Sequence, residues 1–221
     1  MTRHFVRGFT LIELMTIIAF IAILGAIAFP VFISAVERAK ITHDMNNLRQ
    51  IGLATQTYLS DNDNNLFSSS ASWMSQLHPI AGSSGTKYLP GWNVFQSPFD
   101  KRQPLDDDTN SPVSYGLNGN GIIGMAAAKI SKPSVFILFA PAQNSAATVQ
   151  FSGAAGTAAP GVTVYKNAVN PSGPATGGPQ NNRQRINAVF ADLHCESLPW
   201  SMFINDSPSS SDPSAAQRWS P

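Results

Sequence analysis

Residues 9–36 read FTLIELMTIIAFIAILGAIAFPVFISAV, a run broken by one charge, Glu13, and one proline, Pro30. The preceding segment, MTRHFVRG, carries Arg3, His4 and Arg7. At about 1.5 Å per residue, this stretch forms a helix of roughly 42 Å. A bilayer core of about 30 Å needs only about 20 residues. Three readings compete. A secretory signal peptide has an apolar core of about 7–15 residues and a small-residue cleavage site; this core is too long, and no such site follows. A plain anchor fits the length and leaves Glu13 unexplained. A carboxylate near the start of a spanning helix costs up to about 2.5–3.5 kcal/mol on the insertion scale, less near the interface. Such a group needs a partner.

The third reading supplies one. Arg7-Gly8-Phe9-Thr10-Leu11-Ile12-Glu13-Leu14 resembles the prepilin signature of type IV pilins and type II secretion pseudopilins. The resemblance implies cleavage by a prepilin peptidase between Gly8 and Phe9, followed by N-methylation of Phe9. It implies that the Glu13 carboxylate pairs with the amino terminus of a neighbouring subunit during filament assembly. A charge that is costly alone in lipid becomes tolerable when paired.

The rest of the stem follows from periodicity. Ile41, Met45, Leu48, Ile51 or Gly52, Thr55, and Tyr58 or Leu59 fall on one helical face. Glu37, Lys40, His43, Asp44, Asn46, Asn47, Arg49 and Gln50 are assigned to the polar face. The pattern predicts one helix over residues 9–59, ended by the turn-forming cluster at 61–65. Pro30 inside it predicts a kink, because it removes one backbone bond and crowds the preceding turn.

The net charge of +1 and the 12% of charged residues force no basic patch, so no nucleic-acid partner is expected. The 16 Gly and 16 Pro suit a loop-rich, β-dominated head rather than a bundle. Cys195 is the only cysteine, so no intrachain disulfide can form; it reads as a small buried apolar residue. Arg3 and Arg7 before the span, with mixed charges after it, put the leader in the cytoplasm. The rest then lies outside the inner membrane, first as a single-pass periplasmic protein and then in a periplasmic or cell-surface filament.

Within the head, a short helix is expected at 71–77, with Trp73 and Leu77 inward. Leu89, Trp92, Val94 and Phe95 are expected to pack beneath loops. A strand is expected near 114–118, a buried one at 135–140, another at 162–165, and a hairpin across 186–198 turning at Asp192-Leu193. Residues 168–182 are expected to form an exposed loop. Asp106, Asp107 and Asp108 offer hard oxygen donors of the kind calcium takes, without EF-hand spacing. Asp192 and His194, two apart on a strand, share a face. They fall short of the three ligands of a catalytic zinc, and turn capping is the simpler reading.

The phrase from Asn187 to His194, with Ser97-Pro98-Phe99-Asp100 and Ser114-Tyr115-Gly116-Leu117-Asn118, resembles a pilin-like family of Planctomycetes and Verrucomicrobia. That family carries a His, nine residues, then Asp-Gly. Here Asn182 stands in place of the His, Leu193 in place of the Gly, and Ser97 where a Cys is common. If the Gly served a positive φ, Leu193 takes it at a cost.

The expected architecture is therefore α+β and pilin-like: a long N-terminal helix packed on a small antiparallel head with long loops. Its parts are a cleaved leader (1–8), a transmembrane half-stem (9–36), an amphipathic half-stem (37–60), a head (61–204) and a Ser/Pro-rich disordered tail (205–221). The expected role is structural, as a subunit of a type II secretion pseudopilus, with a type IV pilus for adhesion, motility or DNA uptake as the alternative. Implied partners are other pilins or pseudopilins, the prepilin peptidase, the inner-membrane assembly platform and lipid. A membrane-anchored binding or hydrolase domain is the reading from another class. No nucleophile–base pair, metal quartet or phosphate loop is evident.

Overall fold

The computed structural model describes residues 9–80, 84–100, 113–119, 121–142, 150–151, 180, 184–204, 216–219 and 221. The chain divides into two compact units, Met1–Ala39 and Lys40–Pro221. Gly8, Asp106, Asp107, Asp108, Asn182 and the expected strand at 162–165 lie outside the described residues.

Helix α1 is Leu11–Asp61. In the first unit its apolar side chains are exposed on every side, from Leu11 and Ile12 to Phe32 and Ile33. A helix apolar all round belongs in lipid or against other apolar helices. This one is long and apolar enough to cross a membrane by length and composition. It continues through Pro30. Proline has no N–H, so the Ala26 carbonyl one turn back loses its donor. Ser34 Oγ donates to the Pro30 carbonyl at 2.8 Å.

In the second unit α1 becomes one-sided. Its buried residues are Asp44, Asn47, Leu48, Ile51, Gly52, Ala54, Thr55 and Tyr58. The expected stripe is present, with its centre shifted. Ile41 and Met45 are only half-buried, while Asp44 and Asn47, assigned above to the polar face, are inside. The reason is what they meet: polar side chains of the head that satisfy both, described below.

The head is built on a five-stranded sheet in the order β3-β1-β2-β4-β5. Its strands are β1 (Tyr115–Asn118), β2 (Ile137–Pro141), β3 (Gln150–Phe151), β4 (Arg185–Phe190) and β5 (Cys195–Pro199). Pairing is antiparallel except for β1 with β3, a short parallel edge pair. This is the expected α+β arrangement with one parallel edge added. β1, β2 and residues 186–190 of β4 are buried throughout, so both faces of the central sheet are covered. Along β4, Asn187 and Val189 share a face by the period of two, and both meet α1. Asn187 reaches Asp44, and a Cβ added at Gly52 would lie 3.5 Å from Val189 Cγ1.

The first half of the head chain folds as short pieces over this layer. Helix α2 (Trp73–Leu77) is capped by Ser72, whose hydroxyl accepts from Ser75 N at 3.2 Å. A 3₁₀ turn, Trp92–Phe95, follows. Trp73, Leu77, Leu89, Trp92, Val94 and Phe95 are all buried, as expected. Trp73 sits at the centre, with ring centroids 4.9 Å from Phe139, 5.4 Å from Phe95 and 6.2 Å from Phe67.

The tail departs from expectation at its far end. Helix α3 (Trp200–Ile204) is followed, beyond residues 205–215, by a 3₁₀ turn at Ala216–Arg218. Trp219 is buried edge-on against Phe203 at 5.0 Å, and Arg218 donates to the Met202 carbonyl at 3.0 Å.

The β4–β5 turn answers the Leu193 question. Leu193 N donates to the Phe190 carbonyl at 2.9 Å, Phe190 N donates to the His194 carbonyl at 3.0 Å, and Leu193 has φ 70°. This is a three-residue hairpin loop whose last position is left-handed, the place where glycine is usual. A left-handed L-residue costs roughly 1–2 kcal/mol. Leu193 offsets that cost by laying its side chain against α1 beside Gly52, at 3.8 Å from a Cβ added there. Leu193→Ala loses this contact and keeps the strain; Leu193→Gly loses both. We expect Leu193→Gly to be the more stable of the two by about 1 kcal/mol in denaturant unfolding. An alanine variant equal to or above the glycine variant would mean the turn is not left-handed at 193.

Candidate functional site

In the first unit, the start of α1 holds Glu13 in a reciprocal cap. Thr10 N and Thr10 Oγ1 both donate to Glu13 Oε2, at 2.9 and 2.7 Å, and Glu13 N donates to Thr10 Oγ1 at 3.3 Å. This is a capping box, Thr at the cap position and Glu three residues on. The carboxylate therefore satisfies two donors of its own helix end. It also sits where the helix dipole favours negative charge. The Thr-x-x-Glu spacing that makes it, Thr10 to Glu13, is legible in the sequence. Phe9, next to the cap, is 71% exposed. Its side chain and the apolar surface behind it are available to another molecule.

In the second unit the buried polar centre is Asp44, fully enclosed on α1. Its Oδ1 accepts from Ser97 Oγ at 2.5 Å and from Tyr115 OH at 2.8 Å. Its Oδ2 accepts from Asn187 Nδ2 at 2.8 Å and from Gln180 Nε2 at 3.3 Å. Asn47, one turn along, donates to the Gln96 carbonyl at 2.9 Å and to Tyr115 OH at 3.4 Å. One carboxyl thus ties α1 to the loop after the 3₁₀ turn, to β1, to β4 and to Gln180. The last of these falls in the segment expected to be an exposed loop and is itself buried. Burial pushes the Asp44 carboxyl up, against the opposing pull of the hydrogen bonds from Ser97, Tyr115, Asn187 and Gln180. The clue to this centre was its phase: Asp44, Leu48, Ile51 and Tyr58 share one helical face at steps of three, four and seven.

The other candidates resolve into local roles. Asp192 Oδ1 accepts from His194 N at 3.2 Å and contacts His194 Nδ1, while the imidazole stacks on Phe190 at 4.2 Å. That is turn capping. His43 is exposed. Cys195 is half-buried, and burial pushes its thiol up, away from thiolate chemistry. An open cleft lined by Tyr58, Asp61, Gln76 and Tyr88 spends its polar groups internally: Tyr58 OH donates to Gln76 at 2.8 Å and Tyr88 OH to Asp61 at 3.1 Å. Among the described residues, no three His, Cys, Asp or Glu side chains come together as a metal site.

Comparison with known proteins gives a partial match. No family model matches the chain, and no solved structure matches it. A stretch of 57 residues is 46% identical to the type IV major pilin protein PilA of Myxococcus xanthus, covering 26% of this chain and 26% of that protein. Stretches of 55 residues are 42% identical to type IV major fimbrial proteins FimA of Dichelobacter nodosus, covering 25% of this chain and 34% or 35% of those proteins. The chain thus spans about a quarter to a third of the length of the curated relatives it matches. It is homologous to the type IV pilin and fimbrial proteins over that stretch, whose length is close to that of α1, 51 residues. By name these relatives are a major pilin and major fimbrial proteins.

Proposed function

We propose that this chain is a structural subunit of a type IV pilus, made as a prepilin and cleaved after Gly8. The observation that carries the reading is the placement of a single carboxylate, Glu13, at the capped start of an exposed apolar helix. It follows directly on Arg7-Gly8-Phe9-Thr10, in a chain homologous to major pilins. Cleavage converts Phe9 into a free amino terminus, which is then methylated. In the filament, the Glu13 carboxylate of one subunit pairs with the Phe9 amine of the next, so that insertion occurs in one register. The apolar helix first crosses the inner membrane and then supplies the packing area of the filament core. Pro30 is the place where that helix gives way under packing. The head remains outside the membrane. We take the surface pilus over the secretion pseudopilus because the matched relatives are pilins and fimbrial proteins.

Intact mass and amino-terminal peptide sequencing of the membrane-extracted protein test this directly. The expected chain starts at methylated Phe9, and Gly8→Val leaves the leader attached. A wild-type chain starting at Met1 would leave an ordinary anchor and overturn the reading. Mechanical shearing separates the two machines. Release of the protein in surface filaments supports the pilus, whereas full retention in the cell envelope favours the pseudopilus.

A further inference from the structure

We propose that the Asp44 centre is a proton-operated clasp: Asp44 holds a proton in the folded second unit, and losing it loosens α1 from β1, β4 and Gln180. The inference goes beyond the pilus reading and does not depend on it.

Four groups donate to the Asp44 carboxyl, and what its surroundings lack, among the described residues, is a countercharge. Asp44 has no exposed surface. Its four partners, Ser97, Tyr115, Asn187 and Gln180, are all neutral. The basic residues of its own helix, Arg38, Lys40, His43 and Arg49, are exposed. On β4, Arg185 is spent on Ser197, through Nε to Oγ at 3.2 Å and through its terminal nitrogen to the carbonyl. Ser197 in turn stands 3.4 Å from Gln180 Oε1. β1 brings the Tyr115 phenol. Before it, Asp100, a second acid, accepts from Ser114 at 2.7 Å. No cation among the described residues compensates Asp44, and an uncompensated buried charge carries a desolvation penalty of several kcal/mol.

A second observation points the same way. Asn187 Oδ1 is buried and has no donor, although its Nδ2 lies against Asp44 Oδ2. Buried polar atoms without partners are rare. The two ends of an amide side chain are assigned from their hydrogen bonds. With the amide turned over, Asn187 Oδ1 faces Asp44 Oδ2 and accepts a proton there, at the loss of the long 3.4 Å bond from Nδ2 to the Ile41 carbonyl.

The raised carboxyl gives the sign. Between the unfolded pKa of about 3.9 and the raised folded one, the folded state binds one more proton. Stability is full below the unfolded pKa and falls as pH rises toward the folded value, by up to about tenfold in the folding equilibrium per pH unit.

The test uses the full-length protein in detergent. All four tryptophans, Trp73, Trp92, Trp200 and Trp219, lie in the second unit, so their fluorescence reports its unfolding. Denaturant midpoints are measured from about pH 4 to pH 8, with infrared spectra of the folded state. The wild type is expected to lose stability with rising pH and to show a protonated-carboxyl band. Asp44→Asn is expected to lack that band and to lose the corresponding slope. It fits because its amide nitrogen donates to Asn187 Oδ1 in place of the acid proton, while its carbonyl accepts from the hydroxyls of Ser97 and Tyr115. Ser97→Ala, which removes a donor to the ionised form, is expected to move the wild-type transition to higher pH. If Asp44→Asn does not fold, the wild-type band and the Ser97→Ala shift decide. A wild type without a titrating acid band overturns the proposal, as does an Asp44→Asn protein with an undiminished pH slope.

Discussion

Glu13→Gln is expected to insert in the membrane and lose its leader as the wild type does, and to fail at filament incorporation. The substitution separates the capping that Glu13 performs in the structure from the charge pairing proposed for it. Glutamine can complete the capping box with Thr10 as glutamate does, so the helix start is preserved. Even full loss of the cap, as in Glu13→Ala, costs only about 0.5–2 kcal/mol, small against a helix of 51 residues. The charge is the larger effect. Removing one partner of a desolvated ion pair costs about 3–5 kcal/mol, which is about 100-fold or more in equilibrium at each subunit contact. Both variants should therefore give sheared-filament yields below detection with normal membrane levels. Quantitative immunoblots of sheared and membrane fractions check this. A glutamine variant that assembles normally while the alanine variant fails would assign Glu13 to capping alone and remove the charge-pairing mechanism.

What could be read from the sequence follows the range of the interactions involved. α1 was legible from end to end, because its apolar run and its one-sided continuation are written in local periodicity. The hairpin was legible from alternation and the Asp192 turn. Asp44 was not. On polarity alone it belongs with Lys40 and His43; its burial depends on Tyr115, Gln180 and Asn187, which lie far along the chain. No local pattern announces that a sheet will present hydroxyls and amides to a helix. Leu193 is a related case. Its left-handed backbone goes against residue preference and is repaid by a contact with Gly52, a tertiary term. β3, with two residues in a parallel edge pair, is too short for any alternation to show. Trp219 was submerged in the polar composition around it.

The head's resistance to unfolding should depend most on Trp73. Trp73→Ala is expected to remove about 3–5 kcal/mol, a large share of the roughly 5–15 kcal/mol that a domain possesses. The indole is 1% exposed and, among the described residues, packs against the rings of Phe139, Phe95 and Phe67. The Phe95 contact is edge-to-face at 88°, a geometry worth about 0.5–1.5 kcal/mol beyond area. These neighbours belong to β2, the 3₁₀ turn and the loop after α1, so one cavity would loosen three segments at once. Trp73→Phe keeps most of the apolar volume and should cost clearly less than alanine. Trp92→Ala, at the rim with 8% exposure, should fall between. Urea unfolding followed by the remaining tryptophans orders the three. If Trp73→Ala proved no worse than Trp92→Ala, the aromatic cluster would not be the keystone of the core, and the Asp44 centre would be left as the principal tie between helix and sheet.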